Sequence, residues 1–299
     1  MNESSILLID KQPSFSSFST LSYIKRRLGV KIGHAGTLDS FATGLLIGLT
    51  GSFTKLNNLF MHLDKRYIAT IEFGKETTTL DPEGEVIATG AIPTKELVAD
   101  VIATEFQGVV DQVPPAYSAL HIQGERAHKR IRRGEVFEMP TRQIELYSVE
   151  LISWEPPFAT ISVHCSKGTY IRSLARDIAH RCNTHGYLTQ LRRTAIGPYK
   201  VEDAQSAEDL FSLDHYITTN LELLQRVPHM ALYVVDEQSK DSLSYGHLPT
   251  KDGIVSPIVS GTNTHALLVD LDSAILAVCT LDEEGLPKKI ISVPAARRS

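Results

Sequence analysis

The chain has 299 residues, of which 42% are apolar, and a formal net charge of −5; this is the make-up of a globular protein with one large domain or two. With a pI near 6.1 it does not fit a protein that coats nucleic acid indiscriminately, and no apolar run approaches the ~20 residues of a membrane span. Three dispersed cysteines (Cys165, Cys182, Cys279) make no disulfide framework and Met1–Ser5 shows no leader pattern, so a reducing cytoplasm is the expected compartment.

Ile6-Leu7-Leu8-Ile9 reads as a buried strand ended by Asp10-Lys11-Gln12-Pro13. Phe18, Leu21, Ile24 and Leu28 follow at helical spacing, with Ser16 or Ser17 as N-cap, Gly29 as stop and Lys25, Arg26 and Arg27 in the last turn. Gly33–Gly44 comes next, a glycine-punctuated stretch whose only ionisable side chains are His34 and Asp39, leading into the apolar run Leu45–Leu49. A lone carboxylate on such a loop is either a turn-former or a reactive group.

Residues 64–73 alternate as a strand with Tyr67, Ala69, Ile71 and Phe73 on one face. Asp81-Pro82-Glu83-Gly84 is a turn into a strand at 85–88, Thr94 starts a helix to about Phe106, and Pro114-Pro115 breaks the pattern. From His121 to Arg142 the chain is polar and basic, with Arg126, Lys129, Arg130, Arg132, Arg133 and Arg142 against Glu125, Glu135 and Glu138. That excess suits phosphate contacts, or is a solvated face.

Strands are expected at about 143–152 and 159–165, then a helix opening at Thr169 with Ile171, Leu174, Ala175, Ile178 and Cys182 on its apolar side. Arg172 falls in the first turn, where a cation opposes the macrodipole by roughly 0.3–1 kcal/mol and calls for a carboxylate or an anionic ligand, unless it faces solvent. A strand at 188–196 and a helix start at Ser206 follow. After Val227-Pro228 short apolar runs (232–235, 266–269, 274–278, 290–293) between turn signals give an all-β pattern and a second small domain. The fold class is therefore α+β.

His164, Cys165, His180, Cys182 and His185 cluster loosely, but their spacing reads as core cysteine and surface histidine, and no metal is expected. There is no Lys-Ser/Thr ending for a P-loop, no G-x-G-x-x-G and no G-x-S-x-G, so nucleotide hydrolysis and serine hydrolysis have no support.

Gly33-His34-Ala35-Gly36-Thr37-Leu38-Asp39 together with Ala42-Thr43-Gly44-Leu45-Leu46 resembles the TruB family of tRNA pseudouridine synthases. Further segments agree in order: Leu7-Leu8-Ile9-Asp10-Lys11, Asp64-Lys65-Arg66-Tyr67, Tyr117-Ser118-Ala119-Leu120, His164 through Ser173, and Leu191-Arg192-Arg193-Thr194. The resemblance spans about 6–200; beyond 229 the tail looks like a small PUA-like RNA-binding domain. Two positions depart from the family pattern. Lys-Pro-x-Gly is here Lys11-Gln12-Pro13-Ser14, which calls for a rebuilt turn, and the proline after the reactive aspartate is Ser40.

The resemblance implies a pseudouridine-synthase fold, mixed and mainly antiparallel with flanking helices. It implies a catalytic domain over 1–228, a basic RNA-binding insertion at 120–142 and a PUA-like domain over 229–299. The implied reaction isomerises uridine 55 in the T-arm of tRNA, with base flipping, no cofactor, no membrane and no obligate protein partner, by a monomer. Asp39 would be the nucleophile or an acid–base group at the sugar, Arg172 its counter-charge and Tyr67 the residue packed on the flipped base. His34 would contact the vacated gap, Leu191 wall the pocket and Lys11 support the loop. Arg126, Lys129, Arg130, Arg132 and Arg133 would hold phosphates. The alternatives are an RNA-binding protein without chemistry and a synthase with another RNA target.

Overall fold

The computed structural model describes residues 4–118, 120–122, 125, 126, 130, 131, 133, 135, 137–209, 219–258 and 261–294. In chain order its elements are β1 (Ile6–Lys11), α1 (Ser17–Leu28), β2 (Ile32–His34), β3 (Thr43–Thr50), α2 (Asn57–Met61), β4 (Lys65–Phe73), β5 (Lys75–Thr77) and β6 (Val86–Thr89). Then come α3 (Lys95–Glu105), β7 (Gly108–Gln112), β8 (His121–Ile122), β9 (Glu125–Arg126), β10 (Arg142–Glu155), β11 (Phe158–Cys165), α4 (Ile171–Arg181) and β12 (Gly186–Ile196). The last are β13 (Tyr199–Lys200), α5 (Thr219–Gln225), β14 (Met230–Val234), α6 (Glu237–Ser244), β15 (His265–Val269), β16 (Ile275–Leu281) and β17 (Pro287–Ser292). The fold is mixed α+β with mainly antiparallel sheets and a small C-terminal sheet. Among the described residues no helix is long and apolar enough to cross a membrane.

The chain divides into two compact units. One holds Met1–Leu38, Leu45–His62 and Gly197–Ser299; the other holds Asp39–Gly44 and Leu63–Ile196. In the first, β1 neighbours β3 and β2 pairs antiparallel with β3, His34 opposite Gly48. Helix α1 starts where the Ser16 hydroxyl accepts from Ser19 N and stops at Gly29 in the left-handed region (φ 67°), as its sequence signals require. It buries Leu21 and Ile24 against Leu7, Ile9 and Leu46. The Ser17 hydroxyl donates to Leu38 O (3.0 Å) and accepts from Leu38 N (2.9 Å), which pins the residue before Asp39.

The C-terminal strands form a sheet in the order β14-β15-β16-β17, with β14 parallel to β15 and the others antiparallel. Its core is Tyr233, Val235, Ala266, Leu268, Ala277 and Cys279. The alternating pattern predicts these strands but not α6, whose polar sequence buries only Ser239 and Leu243 and starts on an Asp236 cap. The helix expected from Ser206 falls mainly outside the described residues; within them Ser206 Oγ accepts from Asp209 N (3.1 Å).

The second unit is built on an antiparallel sheet in the order β12-β4-β11-β10-β7. β4 lies centrally and buries Tyr67, Ala69, Ile71 and Phe73, the face that alternation selects. Helix α4 packs on β12 through Ile171, Leu174, Ala175 and Ile178. It begins two residues later than expected, at Ile171. Its N-cap, Tyr170, has no side-chain cap, and Gln112 takes over by accepting from Tyr170 N (2.8 Å) and donating to Tyr170 O (3.1 Å). β7, which carries Gln112, has no clear signal in the sequence because Val109 is exposed at the sheet edge.

Candidate active site

Asp39, Arg172 and Asp81 meet within the second unit. Asp39 opens a turn in which Ala42 N donates to Asp39 O (3.2 Å). Thr43 and Gly44 then pair parallel with Arg192 and Arg193 of β12. Gly44 has φ 103°, and a Cβ there would lie 2.2 Å from Arg193 O, so only glycine admits this approach.

Arg172 stands at the second position of α4 and is buried. Its Nη1 donates to Thr79 O (2.8 Å) and Asp81 Oδ2 (3.1 Å), and its Nη2 to Asp39 Oδ1 (3.1 Å) and Tyr117 O (3.1 Å). Nε lies 2.9 Å from Asp39 Oδ2, a contact of charge rather than a directed hydrogen bond. The cation that opposed the macrodipole thus has two carboxylates. Side-chain exposure separates them: 38% for Asp39 and 6% for Asp81. Asp81 is the buried partner and Asp39 the solvent-accessible one.

Asp81 also accepts from Thr79 Oγ1 (2.5 Å) and Glu83 N (3.0 Å) at Oδ1. Burial pushes its carboxyl above the usual carboxylate range, against the opposing pull of Thr79 and Arg172. Ser40, the departure next to Asp39, donates to Glu83 Oε1 in the same turn. The sequence reads 81–84 as a turn only. It does not show that this turn is the back wall of the Arg172 site, because nothing local distinguishes a turn aspartate from a buried ion-pair partner.

Tyr67 is buried on β4 directly opposite Arg193 of β12. Burial raises its phenol, while the charge and hydrogen bond of Arg193 pull it down; the net direction is up. The phenol is therefore a neutral group at ordinary pH. Arg193, 2% exposed, is a buried cation beside Tyr67 to which the sequence reading assigns no role. The same guanidinium and, above all, burial lower the Lys65 ammonium to about 8. Leu191, buried on β12 opposite Ala69, is on the same pair of strands.

Lys11 and His34 belong to the first unit. Lys11 is fully buried and donates to Gln12 O (2.9 Å) and Phe15 O (2.6 Å), organising the turn after β1. That turn is made without the family's glycine. Ser14 takes the left-handed conformation itself, at φ 67°. His34 lies on β2.

Of the basic segment, Lys129 and Arg132 lie outside the described residues, as does the side chain of Arg126. Arg130 pairs with Glu135 (2.7 Å), and Arg133 with Glu125 (2.6 Å) and Glu135 (2.7 Å). Glu125 and Glu135 drive the Arg133 guanidinium upward. Arg142 stacks on the Tyr170 ring, 4.4 Å from its centroid, and donates to Gly168 O at the start of α4.

A family model described as the N-terminal domain of TruB family pseudouridylate synthase matches residues 24–171. The protein named tRNA pseudouridine synthase B of Borreliella burgdorferi (strain ZS7) is 36% identical over 280 residues, covering 92% of this chain and 94% of the relative. That of Zymomonas mobilis subsp. mobilis (strain ATCC 31821 / ZM4 / CP4) is 42% identical over 214 residues, covering 69% of this chain and 70% of the relative. Among solved structures, a chain of a Cbf5-Nop10-Gar1 complex has the same fold, with a TM-score of 0.69, 20% identity, and coverage of 97% of this chain and 85% of that one. With the family model and these relatives in agreement, the chain belongs to the TruB family of pseudouridylate synthases, and is an isomerase.

Proposed function

We propose that this chain converts the T-arm uridine of tRNA, position 55 in standard tRNA numbering, to pseudouridine, with Asp39 as the carboxylate acting at the ribose. Relatives named tRNA pseudouridine synthase B support tRNA as substrate. The observation that carries the chemistry is the Arg172 guanidinium, fixed by Asp81, Thr79 O and Tyr117 O, with its remaining edge on the half-exposed Asp39.

In this reaction the bond from N1 to C1′ breaks, uracil turns over and C5 bonds to C1′. The C5 proton leaves and N1 ends protonated, so atoms balance without a group donor. Asp39 acts as a carboxylate in a site that excludes water when RNA is bound, and the fixed Arg172 guanidinium is its counter-charge. Extruding the base costs a few kcal/mol, offset by contacts to the flipped nucleotide. Tyr67, as a neutral buried phenol, packs on the base, and Leu191 walls the pocket.

Lys11 and His34 carry over from the family resemblance as the supporting lysine and the RNA contact. Arg130 and Arg133 are held by surface glutamates, a solvent-screened network in which tRNA phosphates take the carboxylates' place. With Arg126, Lys129 and Arg132 they form the phosphate-gripping insertion at 120–142 of a catalytic region over 1–228. Residues 229–299 act as a PUA-like RNA-binding domain. The enzyme works in the cytoplasm without an obligate protein partner.

The test is incubation with an unmodified tRNA transcript and mapping by carbodiimide-stop primer extension. A new stop at position 55 alone is expected. A stop elsewhere, or none, would overturn the assignment.

A further inference from the structure

We propose that Glu76, His180 and His185 form a binding site for one zinc ion, separate from the Asp39–Arg172 pair. Histidine spacing alone carries no such reading. The third donor comes from β5, about a hundred residues earlier in the chain, and the second unit brings it between the two imidazoles.

The geometry is built by the backbone. His180 is in the last turn of α4. Asn183, in the left-handed region at φ 54°, reverses the chain, with Asn183 N donating to His180 O (3.0 Å) and Thr184 N to Ala179 O (3.1 Å). This brings residue 185 back beside residue 180. His185 O accepts from Gly74 N (2.8 Å), two residues ahead of Glu76, so the histidine is tied to the strand that carries the carboxylate.

Both imidazoles converge on one oxygen. His180 Nε2 is 2.6 Å and His185 Nδ1 3.2 Å from Glu76 Oε2, and the three donor atoms all lie within 4.8 Å of one another. Donors on a tetrahedral zinc at 2.0–2.1 Å stand about 3.3 Å apart. The His185–Glu76 spacing already fits. His180 must move outward by about 0.7 Å, and its side chain is 46% exposed and has room to do so.

The donor set selects the ion. Two imidazole nitrogens and one carboxylate oxygen suit zinc and its late transition-metal neighbours, whereas magnesium and calcium require a shell of oxygens. Water completes the fourth position on the exposed side. The ion ties the C-terminal end of α4 to β5. Arg172 stands at the opposite end of α4, eight residues or about 12 Å along the helix, so the site is separate from the reaction at Asp39.

The full chain, freed of metal with a chelator, is titrated with zinc chloride against a chromophoric competitor. One zinc per chain is expected, held at least tenfold more weakly by Glu76→Gln. Background binding only is expected in Glu76→Gln/His185→Asn, with circular dichroism confirming that the variants fold. Excess magnesium leaves the wild-type titration unchanged. Wild-type crystals grown with zinc give an anomalous peak between the three side chains. Equal zinc affinity in wild type and double variant, displacement by magnesium, or an anomalous peak elsewhere on the chain would overturn the proposal.

Discussion

Asp81 Oδ2 lies 3.1 Å from Arg172 Nη1, and both side chains are almost wholly buried, so the cation that faces Asp39 is neutralised from behind. Neutralising Asp81 leaves Arg172 with Asp39 alone, so the cost is below the roughly 3–5 kcal/mol of a buried charge with no partner. Asp81→Asn keeps the shape and removes the charge. Chemical denaturation should register a loss of about 1–2 kcal/mol. Single-turnover rates should fall at least tenfold, about 1.4 kcal/mol, with tRNA affinity nearly unchanged. An unchanged rate would mean that Asp81 does not position Arg172.

Lys65 supplies a pH dependence with a definite sign. Its ammonium titrates near 8 in the folded chain, against 10.5 for an ordinary lysine, chiefly because it is buried. Between those values the unfolded chain binds the proton and the folded one does not, so stability rises with pH across that window. Relative to Lys65→Met, the wild type should gain roughly 3 kcal/mol between pH 7.5 and 10.5, most of what the difference of the two pKa values allows. Parallel urea-denaturation curves for the two proteins across that range would contradict the burial of a charged Lys65.

Ser14 occupies a left-handed conformation where the family pattern has glycine, at a cost of roughly 1–2 kcal/mol for a residue with a Cβ. Part of that returns in Ser14→Gly, offset by the greater freedom of glycine in the unfolded chain. The expected gain is about 1 kcal/mol, measurable by urea denaturation. A destabilised variant would show that the Ser14 side chain contributes more than its backbone costs.

The basic insertion predicts a change in salt slope. Arg130→Gln/Arg133→Gln removes two cations that meet phosphates in the proposed complex. The slope of log affinity against log salt should become shallower by about 1–2, with the rate at saturating tRNA preserved. An identical slope would take both residues out of the interface.

Much of this arrangement is legible in the sequence because local physics sets it. The Ser16 cap and Gly29 stop of α1, the alternation of β4 and the apolar face of α4 all follow from spacing and propensity. Asp39 stands out because glycines isolate it, and Arg172 because a cation in a first helical turn needs a partner. What stays hidden depends on distant contacts. Asp81 looks like a turn residue until Arg172 meets it, 91 positions away. Arg193 carries no signal of its own until β12 pairs with β4 and sets it opposite Tyr67. Ser40, unexplained by the family pattern, gains a reason only when Glu83 comes into reach. Gln112 becomes a helix cap only when β7 lies beside the start of α4.

The central claim is that Asp39 is the reactive carboxylate held by Arg172. Its most direct test is single-turnover pseudouridine formation by Asp39→Asn on an unmodified tRNA transcript, with binding followed in parallel by filter retention. The account predicts that pseudouridine is undetectable while tRNA affinity stays within about threefold, under 1 kcal/mol, of wild type. Turnover above about a tenth of wild type, a loss under ~1.4 kcal/mol, would contradict it.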